Sequence, residues 1–112
     1  MEEKTQQTLE KGLLTAFSNA LSVARDNVLA AGSLIQIADE ALDIDASAST
    51  RDKIEEGLIN AFKIYAGKNA GGAPVVAFSQ EIRKYEARKE SKARGESELK
   101  SSYREPYFMT DI

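Results

Sequence analysis

The chain has 112 residues, of which 42% are hydrophobic and 29% charged, with a net charge of −3 and no histidine, cysteine or tryptophan. That length suits one domain with a modest core, and the missing residue types exclude a disulfide framework, a thiolate nucleophile, and the commonest general base and metal ligand. Residues 1–72 carry 7 basic and 11 acidic side chains and residues 73–112 carry 8 and 7, so steering of the whole protein toward nucleic acid is not expected, although a local basic face stays open.

The opening run MEEKTQQTLEKG is polar and starts with acids, so it lacks the positive region and apolar centre of a signal peptide. No apolar run approaches the roughly 20 residues that span a bilayer. The expectation is a soluble, intracellular protein of the cytoplasm, with incorporation into a large particle as a further option.

From Leu9, apolar side chains recur at Leu13, Phe17, Ala20, Ala24, Val28, Ala31, Ile35, Ala38 and Leu42 in steps of three or four, which is one helical face. Gly32 and Ser33 interrupt it. Glycine there can end a helix, and Ser33 with Gln36 three residues on matches a capping box that starts the next. A kink or tight break at Gly32-Ser33 is therefore preferred, with one unbroken helix as the alternative. The run DIDASAST, Asp43 to Thr50, collects small polar turn formers. Ser49 with Asp52 then caps a second helix carrying Ile54, Leu58, Ala61, Phe62 and Tyr65 and ending at Gly67.

The stretch AGKNAGGAPVV, Ala66 to Val76, raises the question of a phosphate-cradling loop. Such a loop needs G-x-x-x-x-G-K-[ST] between a strand and a helix, so that backbone amides wrap the phosphates and a hydroxyl holds magnesium. Here Asn69 follows Lys68, Phe62 stands five residues before Gly67, and the preceding segment reads as helix. The stretch is read as a helix stop and a glycine-rich joint, with Pro74 pre-set for another helix. Val75, Phe78, Ile82 and Tyr85 form a short heptad-like, coiled-coil-type seam, after which RKYEARKESKARGESELK is almost wholly charged or polar, and the helix is expected to fray near Gly95.

Three constellations invite a chemical reading. Asp39, Glu40, Asp43 and Asp45 cluster, but an EF-hand loop requires glycine at its sixth position and glutamate at its twelfth. Counting from Asp43 gives Ala48 and Ile54, and counting from Asp45 gives Thr50 and Glu56, so a solvated helix end and turn is preferred. Ser18, Ser22 and Ser33 have no histidine to activate them, and nothing distinguishes Glu55 or Glu56 from ordinary exposed helix residues, so no catalytic, cofactor-binding or metal site is assigned and the protein reads as no enzyme. Arg83, Lys84, Arg88, Lys89, Lys92 and Arg94 are the best candidates for nucleic-acid contact, with Lys84, Arg88 and Lys92 on one side of a helix. Glu81, Glu86 and Glu90 dilute that stripe.

The fold expected is all-α: a helical hairpin or bundle over residues 1–66, a joint at 67–73, an amphipathic and then charged third helix over 74–94, and an extended tail over 95–112. The tail carries Tyr103, Tyr107, Phe108, Met109 and Ile112, which read as partner-binding anchors of a docking segment, and Pro106 favours an extended shape there. The function expected is that of a structural or adaptor protein that binds itself or a larger protein assembly and needs no cofactor. The alternative is a small nucleic-acid-binding protein using the basic stripe. Such a layout is associated, by analogy alone, with small components of large assemblies, virions included.

Overall fold

The computed structural model describes residues 2–27, 29–68 and 72–101, with side chains as far as Ser91. Among these residues the chain is all-α, with helices α1 (Glu3–Ser22), α2 (Ala30–Asp43), α3 (Ala48–Ala66) and α4 (Gly72–Ser101) and no strand. The long apolar stripe neither runs as one rod nor breaks at Gly32-Ser33, both of which lie inside α2. The break falls at 23–29, where polar groups hold the turn. Ser22 Oγ donates to Asn19 O at 2.7 Å and Asn27 Oδ1 accepts from the Leu29 N–H at 3.0 Å, a local side-chain turn typical of Asn. Two distant groups anchor the same turn: the Tyr65 hydroxyl donates to Asn27 O at 3.1 Å, and Lys68 Nζ donates to Arg25 O. Gly32, by contrast, has open space around it, and one exposed glycine costs a helix only about 1 kcal/mol.

The break lets the two halves of the stripe pack on each other. Phe17 from α1, Leu34, Ala38, Ala41 and Leu42 from α2, and Ile54, Leu58, Ala61 and Tyr65 from α3 are buried in one core. α4 adds Phe78 and Tyr85, with Val75 and Ile82 half-buried beside them. The Phe78 ring stacks on Tyr65 with centroids 5.5 Å apart, and the Tyr85 hydroxyl donates to Ala38 O at 2.7 Å. Buried rings thus keep their polar ends paired, which removes the cost of burying a hydroxyl.

The second turn is held by a cap that is not the expected one. α3 starts at Ala48, and its cap is Ser47, whose Oγ accepts from the Thr50 N–H at 3.4 Å; Ser49 lies inside the helix. α2 stops in a Schellman arrangement, with Ala46 N–H to Ala41 O and Asp45 N–H to Leu42 O, both 3.0 Å, and Asp45 takes the left-handed position at φ 53°. Glycine usually fills that position. Aspartate is among the few other residues that tolerate it.

Glu10 of α1 reaches across to this cap. Its carboxylate accepts from Thr50 Oγ1 at 2.6 Å, from Ser47 Oγ at 2.9 Å and from the Ser47 N–H at 3.2 Å, while Gln6 Nε2 bridges Glu10 and Ile44 O at 2.9 Å each. Desolvation raises the Glu10 pKa, but these hydrogen bonds together outweigh it and bring the group from 4.5 to about 2. A lowered folded-state pKa means stability that is present above the unfolded value of 4.5 and lost as pH falls through about 2. Glu10→Gln is expected to cost about 1.5 kcal/mol at neutral pH, a figure reduced for solvent screening of a partly exposed carboxylate. Urea titrations down the acid range check it, because the difference between wild type and variant should close as Glu10 protonates.

The charged helix does project. At 1.5 Å per residue, 30-residue α4 is about 45 Å long and 19-residue α3 about 28 Å, and the radius of gyration of 17.1 Å exceeds the roughly 13 Å of a compact chain this long. α4 also continues helical past Gly95 to Ser101, where helix-forming Glu, Lys and Arg around the glycine limit its cost. The joint at 67–73 is shorter than expected, since α4 already begins at Gly72, with Pro74 in its first turn.

Candidate interaction surface

The expected tail anchors Tyr103, Tyr107, Phe108, Met109 and Ile112 lie outside the described residues, as does the side chain of Lys92. The other two members of the basic stripe are placed, and both face carboxylates. Lys84 Nζ stands 3.3 Å from Asp39 Oδ1 and 3.4 Å from Glu81 Oε1, and Arg88 Nη1 stands 3.3 Å from Asp45 Oδ1. Lys89 pairs likewise with Glu55 at 3.1 Å and Glu86 at 3.5 Å. The fold therefore uses these cations to clasp α4 onto α2 and α3. Two of the acids of the cluster, Asp39 and Asp45, serve as their partners, and among the described residues no three carboxylates converge as metal ligands would.

Of the exposed large apolar side chains, Leu9 lies on α1 and Ile59 on α3, and the three most open gather elsewhere. Val23 closes α1, Leu29 precedes α2 and Val76 lies in the first turns of α4, at 46%, 83% and 55% exposure. These positions share one end of the bundle. The Tyr65–Asn27 and Lys68–Arg25 bonds tie the α1–α2 turn to the end of α3, and the Tyr65–Phe78 stack brings the start of α4 to the same place. The opposite end carries the Glu10–Ser47 cap and the Arg88–Asp45 pair, with Leu9, next to Glu10 in the chain, 40% exposed. A shallow groove of about 380 Å³ also runs between α1 and α3, along Leu14, Phe17, Leu21 and Gly57, rimmed by Lys53 and Glu56.

Two carboxyl groups depart from the sequence reading. Glu55, expected to be an ordinary exposed residue, is buried, and so is Glu81, with 2% exposure. Burial foremost, and then the Asp39 carboxylate beside it, raise the Glu81 pKa from 4.5 to about 7, while Asp39 is lowered by its hydrogen bond with Glu81 and by Lys84. Burial and then Glu86 raise Glu55 in the same direction. Glu81 Oε2 is buried with no hydrogen-bond partner. The signal for Glu81 lay in its position, three residues after Phe78 and four before Tyr85, on the seam itself.

Among the described residues, no helix is long and apolar enough to cross a membrane. Comparison of the chain with protein-family models, with curated proteins and with solved structures finds no match.

Proposed function

We propose that this chain is a non-enzymatic structural or adaptor protein that associates with itself or docks into a larger protein assembly. The observation that carries the reading is one end of the bundle, where Leu29 is 83% exposed and Val23 and Val76 are also exposed. Large aliphatic groups held this open by well-anchored turns suit a surface that another protein covers. The folding back of the stripe onto itself removes a different support, the excess length of an unbroken apolar rod. The aromatic tail remains a second docking element in this proposal, through Tyr103, Tyr107, Phe108, Met109 and Ile112.

Nucleic-acid binding through Lys84, Arg88 and Lys92 is the weaker reading, because Lys84 and Arg88 already face Asp39, Glu81 and Asp45. A cation paired within the fold releases fewer counterions on meeting a phosphate.

Sedimentation of the full chain from micromolar to millimolar concentration, together with recovery of co-purifying proteins, tests the assembly reading. Leu29→Asp is expected to weaken the association about tenfold or more while leaving the melting temperature unchanged, since Leu29 has little to lose within the fold. Deletion after Lys100 is expected to reduce association in the same way without loss of stability. A strict monomer that retains no partner counts against the proposal, and steeply salt-dependent binding to random DNA favours the alternative.

A further inference from the structure

α4 is held to the rest of the molecule by two constructions of the same kind. On the α2 side, Lys84 Nζ of α4 stands 3.3 Å from the Asp39 carboxylate and 3.4 Å from that of Glu81, so two carboxyl groups flank one cation. On the α3 side, Lys89 Nζ of α4 stands in the same way 3.1 Å from Glu55 and 3.5 Å from Glu86. Two carboxyl groups can share a hydrogen bond only while one keeps its proton; with both ionised they repel, and the single lysine offsets one charge of the two. The first pair is the more demanding, since Glu81 is almost fully enclosed and its Oε2 has no donor to meet. A protonated Glu81 removes that buried charge and donates to Asp39.

Charged groups of both signs surround the rest of the seam, with Arg88 of α4 paired to Asp45. From α3, Arg51 and Glu55 act on Tyr85 with opposite signs, and from α2 Asp39 adds further negative potential. Arg51 is bonded through Nε to Ala46 O at 2.9 Å. The apolar hold of α4 in the core is limited to Phe78 and Tyr85, with Val75 and Ile82 at its margin, and α4 is joined to α3 through a stretch containing Gly67, Gly71 and Gly72. Against its departure stand the Arg88–Asp45 pair and the Tyr85–Ala38 hydrogen bond.

We propose that α4 is a proton-controlled arm, docked on α2 and α3 while Glu81 is protonated against Asp39 and released when both carboxyl groups are ionised. The sign follows from the raised folded-state pKa of Glu81. Its contribution is fully present below 4.5 and is lost as pH rises through about 7. Release uncovers Phe78 and Tyr85, together with their footprint on Tyr65 and Ala38. The inference is independent of the assembly reading, because it concerns the isolated chain.

Amide hydrogen exchange of the full chain, corrected for the intrinsic pH dependence of exchange, tests it. With a free-arm value of 4.5 and a docked value of about 7, protection of amides from Val75 to Lys89 is expected to fall about 30-fold between about pH 5.5 and about pH 8.5, with α1 amides unchanged. Glu81→Gln, whose amide donates to Asp39 at any pH, is expected to abolish the fall. Asp39→Asn, which removes the like charge, is expected to shrink it. A flat profile in the wild type, the same fall in either variant, or an equal loss of protection in all four helices overturns the proposal.

Discussion

Phe78→Ala is expected to cost the protein about 4 kcal/mol, the range found for emptying a phenylalanine site in a core. Phe78 is fully enclosed and stacks on Tyr65 at 5.5 Å, so the substitution removes both the buried ring and the pairing that fixes Tyr65. Its place in α4 amplifies the effect. The other buried apolar member of that helix is Tyr85, and the seam between them is weakened by the enclosed Glu81. A domain of this size is stable by only about 5–15 kcal/mol, so the variant should unfold at much lower urea concentration. Val76→Ala, two residues away at 55% exposure, is expected to change stability by less than about 0.5 kcal/mol. If the two variants unfold alike, α4 does not belong to the core in the manner described.

Gly57→Ala is expected to destabilise by about 2 kcal/mol, against the ordinary rule that alanine strengthens a helix by about 1 kcal/mol over glycine. A Cβ at position 57 meets Phe17 Cε2 at 2.3 Å, with Cζ at 3.1 Å and Cδ2 at 3.2 Å. Phe17 is the sole buried residue of α1 among those described, so any shift of its ring disturbs the packing that holds that helix. Displacing it loosens the attachment of α1 to α3. Gly32→Ala supplies the contrast, since nothing lies within 4 Å of a Cβ there, and it is expected to stabilise by up to about 1 kcal/mol. A double-mutant cycle decides the cause: in a Phe17→Leu background the cost of Gly57→Ala should largely disappear. An undiminished cost would place the strain elsewhere.

The helical class was readable because apolar residues three and four apart leave no other periodicity, and the stop of α3 followed from Gly67, while Pro74 marked the start of α4 to within two residues. What could not be read was decided by residues far apart in the chain. Gly32 drew attention as a breaker, but the stop at 23–29 depends on Tyr65 and Lys68 reaching Asn27 and Arg25. Ser47 and Ser49 are equivalent in local spacing, and Glu10, 37 residues before Ser47, selects the first. Likewise the basic stripe looks free on one helix drawn alone. Its lysine and arginine find their carboxylates on α2 and in the turn after it, which no local pattern announces.

Among the described residues, helix contacts join α1 to α2 and α3, α2 to α3 and α4, and α3 to α4, while α1 and α4 do not meet. Every contact therefore links helices that are neighbours in the chain or one apart. Closing such short loops removes little chain entropy before packing compensates for it, and topologies of this kind fold on the microsecond-to-millisecond scale. The order of events is also implied. α2 and α3 each touch all three other helices, so they are the pair on which α1 and α4 can condense separately, in either sequence. A nascent chain can accordingly settle α1, α2 and α3 before α4 has been synthesised, with the docking of the last helix left as a distinct final step.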